Sequence, residues 1–133
     1  MKSVNVPKIS VITPSFNQGE YLEDTILSVI GQNYPNLEYI IIDGGSADNS
    51  VSIIKKYETH LSYWISEKDK GQSHAINKGF GLATGDILCW LNSDDLLLPS
   101  TLSYIASLAD VLPDEYIVFG NCIHFRESEQ GLE

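Results

Sequence analysis

The chain has 133 residues, 43% of them hydrophobic and 20% charged, which suits one globular domain and falls short of two. Eight Lys and Arg stand against 18 Asp and Glu, a formal net charge of −10, which argues against nucleic acid as a partner because phosphate-backbone binding rests on clustered cations. An acidic protein still takes a phosphorylated small molecule when a divalent cation sits between the negative groups.

In chain order, Lys8–Thr13 reads as a first strand. Glu20–Gln32 follows as a helix, with Leu22, Ile26, Val29 and Ile30 at helical spacing and Pro35 as a stop. Leu37–Asp43 is a second strand. Ser50–Tyr57 is a helix carrying Val51 and Ile54 behind the polar lead of Ser46, Asp48 and Asn49. Leu61–Ser66 is a third strand, and Gln72–Ala83 a helix that aligns Ile76, Phe80 and Ala83 and ends at Gly85. Asp86–Leu91 is a fourth strand; Pro99 opens a helix whose buried side is Leu102, Ile105, Ala106 and Ala109; Tyr116–Gly120 is a fifth strand. The strands are mostly apolar at consecutive positions instead of alternating, the habit of parallel strands covered on both faces. The order predicts a single α/β domain over residues 1–133, a three-layer α/β/α sandwich around a mostly parallel, Rossmann-like sheet.

Ligands in such sheets bind beyond the carboxyl ends of the strands. The polar residues concentrate there: Thr13-Pro14-Ser15-Phe16-Asn17, Asp43-Gly44-Gly45-Ser46, Glu67-Lys68-Asp69-Lys70-Gly71 and Asn92-Ser93-Asp94-Asp95 are expected to share one rim. Asp94 and Asp95 follow an apolar run directly. Both have a helix-capping reading, but one cap needs only one side chain and a second carboxylate is left over, so adjacent acids at a core edge need compensation. Mg²⁺ or Mn²⁺, held by one or two carboxylates and by substrate phosphate oxygens, supplies it. Asp43 also reads as a turn former or cap, and His74 reads as a polar packing residue. No dinucleotide fingerprint, P-loop, HExxH or GxSxG pattern occurs.

Cys89 and Cys122 are far apart and make no CxxC pattern, so neither zinc nor a disulfide framework is indicated, and a reducing, cytoplasmic setting fits. No apolar run has signal-peptide or membrane-spanning length.

The stretches "ISVITPSFNQGEYLEDTILSVIGQNYPNLEYIIIDGGSADNSVSIIKKY", "SEKDKGQSHAINKGFGLATGDILCWLNSDD" and "FGN", in that order, resemble the catalytic domain of glycosyltransferase family 2, inverting and of GT-A type. The resemblance implies a nucleotide-sugar donor site on a metal-dependent enzyme. It places Thr13, Pro14 and Asn17 along the nucleotide pocket, Asp43 at the base and ribose, and Asp69 near the base. Ala75, Asn77 and Gly79 match "AxNxG", and Gly85 and Asp86 match "TGD". Asn92-Ser93-Asp94-Asp95 stands in the DxD region, with Asp94 suited to the ribose and Asp95 to the metal; many relatives have Asp where this chain has Asn92, and several carry an acid in place of His74.

The general base of the family lies well after the DxD region and has no match here, so it is expected beyond residue 133, together with the acceptor-binding half. The expectation is therefore a truncated, nucleotide-binding part that binds a nucleoside diphosphate sugar, UDP-sugar favoured, with Mn²⁺ or Mg²⁺ and transfers little or no sugar. The acceptor is unknown, and the full-length enzyme is expected in the cytoplasm, at the inner face of the membrane. Apolar surface left uncovered predicts a homodimer or a soft edge around Cys122–Phe125. The alternative is a non-catalytic module that holds a nucleotide or a protein partner. A phospho-accepting receiver built on Asp43 would need an acidic pair after the first strand, which "TPSFN" does not supply.

Overall fold

The computed structural model describes residues 6–113 and 115–125, and the backbone of 127–128 and 131–132. Strand β1 (Ile9–Ser15) leads through helix α1 (Leu22–Ile30) to β2 (Leu37–Asp43), and α2 (Ser50–Lys56) with a short 3-10 turn at Glu58–His60 leads to β3 (Tyr63–Ser66). Helix α3 (Gln72–Leu82), β4 (Ile87–Trp90) and α4 (Thr101–Leu108) follow, and Glu127–Ser128 (β5) pairs antiparallel with Gly131–Leu132 (β6) in a separate hairpin. The main sheet has the order β3-β2-β1-β4, all parallel.

This order fixes where the helices lie. The first two crossovers step in one direction, from β1 to β2 to β3, and the third returns past both to β4. Right-handed connections then require the third helix on the opposite face. Accordingly, Ile9, Val11, Tyr39 and Ile41 pack against Leu22, Ile26 and Val29 of α1, Ile53 and Ile54 of α2 and Leu102 of α4. Ile12, Ile40 and Ile42 point the other way, toward Ala75 and Phe80 of α3. The three layers of the predicted sandwich are thus present.

β1 and β2 are buried along almost their whole length. Each buried isoleucine contributes about 1.5–3 kcal/mol relative to leaving it exposed. α3 comes very close to the sheet at Gly79, where an added Cβ would stand 2.5 Å from Ile12 Cγ2. Only a residue without a side chain permits that approach.

Two expectations need correction. Tyr116–Gly120 is not a strand: the segment has no regular structure, and Ile117 and Phe119 are 81% and 87% exposed. An apolar run becomes a strand only where a neighbour supplies its ladder, and among the described residues β4 pairs with β1 alone. For the same reason β4 is an edge strand and alternates, with Ile87 and Cys89 half-buried while Leu88 and Trp90 are exposed; Trp90 meets Phe80 edge to face at 6.4 Å. Leu132 belongs to the small hairpin, and Glu133 lies outside the described residues.

Candidate functional site

The four strand ends meet on one side of the molecule, and their loops are joined by specific hydrogen bonds. Asp43, fully buried at the end of β2, is the hub. Its Oδ2 accepts from the N–H groups of Gly45 (3.1 Å) and Ser46 (2.9 Å) and from the Ser66 hydroxyl at the end of β3 (2.6 Å). Its Oδ1 accepts from the Ser46 hydroxyl at 2.5 Å. The Ser46 hydroxyl oxygen takes the Asn17 N–H at 2.8 Å, and Asn17 Oδ1 takes the Ala47 N–H at 2.8 Å. Asp48 closes the seam by accepting the N–H groups of Gly19 (2.8 Å) and Ser50 (2.9 Å). The side chain of Asn17 allows it the left-handed conformation it adopts, φ 52°.

The third loop folds over the second. Asp69 Oδ1 accepts the Gly71 N–H at 2.8 Å, and its carboxylate lies against Gly44. Gly71, at φ 106°, turns the chain into α3. After β4, Asn92 and Asp95 form a turn closed by Asp95 N–H donating to the Asn92 carbonyl at 3.1 Å. Asn92 Nδ2 donates to Asp95 Oδ2 at 3.1 Å, and Gln72 Nε2, at the start of α3, donates to Asn92 Oδ1 at 2.6 Å.

Between these loops lies a cleft of about 670 Å³ walled by residues from all four strand ends, among them Pro14, Phe16, Gly44, Asp69, Gln72 and Asp94. It sits at the switch point, where the chain leaves β1 in one direction and returns to β4 in the other, the place where open α/β sheets bind ligands. Its volume matches that of small-molecule sites.

The sequence-derived residues fall into four placements. Pro14, Asp69 and Asp94 line the cleft. Thr13, Asn17 and Asp43 are not in the cleft lining but stand behind it, Asp43 and Asn17 within the loop hydrogen bonds above and Thr13 sharing a 3.0 Å hydrogen bond with the buried hydroxyl of Tyr39. Asn77 is exposed on α3 outside the cleft, because helical phase turns it away when Ala75 and Gly79 face the sheet. Asp95 stands beside the cleft, behind Asp94 in the same turn.

Asp94 and Asp95 are both exposed, and Asp94 has no hydrogen-bond or ion-pair partner among the described residues. Nor do three His, Cys, Asp or Glu side chains come together among those residues as a complete metal cage. A hard cation that takes one or two carboxylates and completes its shell with water and phosphate oxygens needs no such cage, so this pair fits it.

Sequence reasoning placed Phe16 and Lys68 in the rim loops without singling them out, and missed Gln18 and Gln72 as cleft residues. It also did not foresee that the Ser15 hydroxyl, in the first rim loop, is buried in the cleft wall with no hydrogen-bond partner among the described residues. Their position directly after a strand's carboxyl end, or at the start of the helix beyond it, was the available signal.

Residues 10–131 match the family model Glycosyl transferase family 2. The chain belongs to glycosyl transferase family 2. The Campylobacter jejuni GalNAc(5)-diNAcBac-PP-undecaprenol beta-1,3-glucosyltransferase is 33% identical over 133 residues, covering 96% of this chain and 42% of its own length. A putative teichuronic acid biosynthesis glycosyltransferase of Bacillus subtilis is 40% identical over 94 residues, covering 67% of this chain and 36% of its own length.

Among solved structures, a mannosyltransferase from Pyrobaculum calidifontis in complex with GDP-Man and Mn²⁺ superposes with a TM-score of 0.70 at 29% identity, over 79% of this chain and 33% of that one. S. aureus TarS 1-349 in complex with UDP-GlcNAc does so with a TM-score of 0.71 at 27% identity, over 77% and 31%. The fold of this chain is therefore of the GT-A type, and the chain spans between 31% and 42% of the length of these relatives.

Proposed function

We propose that this chain is the donor-binding domain of a metal-dependent glycosyltransferase that moves a sugar from a nucleoside diphosphate sugar to an acceptor hydroxyl with inversion. The observation that carries the reading is the cleft at the switch point, where Asp69 lies at one wall and Asp94, without a partner among the described residues, at another. In this reading Thr13, Pro14, Asn17 and Asp43 shape the nucleotide pocket, Asp69 meets the base, and Asp94 meets the ribose. Asn77, outside the cleft, acts through the position of α3. Solved relatives hold GDP-Man or UDP-GlcNAc, and we favour a UDP-sugar here.

Asp95, with its Oδ1 free of hydrogen bonds among the described residues, is the residue that would hold Mn²⁺ or Mg²⁺. A cation there supplies Lewis-acid stabilisation of the departing diphosphate. The loops exclude water from the donor and fix its orientation, which is the larger part of what this chain's own residues do. Inversion requires the acceptor to attack opposite the diphosphate, with its proton taken by an acidic base that is not among the cleft residues.

Accordingly, the 133-residue chain is expected to bind donor and to transfer little sugar. We place it in the cytoplasm, at the inner membrane face in the full-length enzyme; among the described residues no helix is long and apolar enough to cross a membrane. Calorimetry with UDP, with and without Mn²⁺, tests the reading: metal should strengthen UDP binding, and equally weak heats in both would refute it. A thermal-shift screen with UDP-, GDP- and dTDP-sugars then identifies the base.

A further inference from the structure

The turn that carries the two acids is closed twice. Asp95 N–H bonds the Asn92 carbonyl at 3.1 Å, and Asn92 Nδ2 bonds Asp95 Oδ2, also at 3.1 Å. Two helices from opposite faces of the sheet converge on it. Gln72 Nε2, at the first residue of α3, donates to Asn92 Oδ1 at 2.6 Å, and Thr25 Oγ1, in α1, donates to the Asp95 carbonyl at 2.9 Å.

Chemistry fixes the direction of the two amides. An ionised carboxylate only accepts hydrogen bonds, so the Asn92 atom facing Asp95 must be the nitrogen. Its oxygen then faces Gln72, and the Gln72 atom opposite must be the donor Nε2. The relay therefore ends by pointing a partial positive charge at Asp95 Oδ2, where a cation would otherwise have to stand. It leaves Asp95 Oδ1 and the whole Asp94 carboxylate without hydrogen-bond partners among the described residues.

We propose that Asn92 is a positioning residue for the cation site: its amide, oriented by Gln72, holds the Asp95 carboxylate in its working direction before any metal arrives and withholds one of its two oxygens from that metal. The turn is then preformed without the ion, and the ion is held only moderately. A carboxylate at position 92 would reverse both properties. It has no N–H to give Asp95 Oδ2 and adds oxygen ligands beside it, so Asn92→Asp makes the turn depend on the metal and holds it more tightly. The inference rests on the reading of Asp95 as the metal-holding residue.

Mn²⁺ binding to the full 133-residue chain, followed by the loss of the free-ion paramagnetic resonance signal with and without UDP, tests it. Asn92→Asp should bind Mn²⁺ more tightly than the unaltered chain. Asn92→Ala and Gln72→Ala should bind it more weakly, by about tenfold or more for Asn92→Ala, the scale on which outer-shell partners act. UDP binding measured without metal should be weakest in Asn92→Asp. A merely structural role would shift all three variants in the same direction, so opposite signs for Asn92→Asp and Asn92→Ala are the decisive readout. Gln72→Ala leaves the turn's own residues intact and guards against a folding artefact at position 92.

If all three bind Mn²⁺ like the unaltered chain while Asp95→Ala does not, the positioning role is wrong and the reading of Asp95 stands. If Asp95→Ala also binds Mn²⁺ undiminished, that reading fails and takes the inference with it.

Discussion

The carboxylate of Asp69 lies against the backbone of Gly44, so closely that a Cβ built on Gly44 would stand 3.0 Å from Asp69 Oδ2 and 3.1 Å from Oδ1. The loops after β2 and β3 are thus stacked at one wall of the cleft, and the bare backbone of Gly44 sets where Asp69 stands.

Gly44→Ala should displace Asp69 without unfolding the protein, because Gly44 is not among the residues at positive φ and the obstacle is a side chain that can swing away. The bond from Gly71 N–H to Asp69 Oδ1 resists that swing. UDP affinity should fall by about tenfold, equivalent to ~1.4 kcal/mol, while the melting temperature stays nearly unchanged. Calorimetry beside a thermal melt separates the two; a large loss of stability with unchanged affinity would contradict the arrangement.

The two acids of the last turn should be separable by substitution. Asp94 lines the cleft while Asp95 stands behind it, bonded to Asn92. Asp95→Ala should abolish the Mn²⁺-dependent part of UDP binding and leave the metal-free part in place. Asp94→Ala should weaken UDP binding at every Mn²⁺ concentration by about tenfold. Titrations of UDP at several fixed Mn²⁺ concentrations read both, and identical behaviour of the two variants would contradict the division of roles.

What the sequence made legible follows from where single residues are decisive. Val11–Ile12 and Ile40–Ile42 put apolar side chains on both faces in succession, with Ser10 the one polar residue between Ile9 and Ile12, and a strand buried on both faces uses such a run. The polar residues that follow each run then had to collect at one rim, which located the cleft. Tyr116–Gly120 looked the same in composition but lacks a pairing partner, and pairing is a property of the sheet that composition does not carry. The Gln72–Asn92 bond was equally hidden. It joins residues 20 positions apart, brought together only because α3 begins where β4 ends. Asp43 stood out in the sequence as a candidate acid, but its use as the internal hub of the loops became visible only with its four donors in place.

Gly79→Val should cost more than an ordinary helix substitution. The added atoms would enter the space of Ile12, and even the first of them would sit 2.5 Å from Ile12 Cγ2. The helix must then lift from β1, at a cost of about 1–3 kcal/mol typical of overpacking. Because Gln72 and Ala75 of the same helix line the cleft, UDP affinity should fall as well. Urea denaturation gives the first effect and calorimetry at low urea the second; loss of stability with full affinity would show that α3 does not position the site.

Self-association is expected from the β4 edge. Leu88 and Trp90 are 48% and 56% exposed, and Ile117, Phe119, Ile123 and Phe125 beside them are exposed too. Uncovered apolar surface next to an unpaired strand edge favours a second copy of the chain. Light scattering should report a dimer that Trp90→Lys weakens, and a compact monomer at all concentrations would overturn this expectation.

At the opposite end of the sheet from the cleft, Glu38 ties β1, β2 and the approach to β4 together. Its Oε2 accepts from the Ser10 hydroxyl (2.5 Å) and the Thr84 N–H (2.7 Å), and its Oε1 from the Thr84 hydroxyl (2.7 Å), with Lys8 Nζ at 3.0 Å. Burial pushes this carboxyl up, but the bonds from Ser10, Thr84 and Lys8 outweigh it and hold the group at about 2, against 4.5 for a free glutamate. A carboxyl lowered in the folded state stabilises the fold above its unfolded value and loses that contribution as pH falls. Glu38 should therefore contribute fully above pH 4.5 and progressively less down to about pH 2. Glu38→Gln keeps the shape and removes the charge, so it should cost about 1–2 kcal/mol at neutral pH and nothing near the acid end of that window. Urea denaturation of both proteins across this pH range checks the sign: a gap that widens on acidification would contradict it.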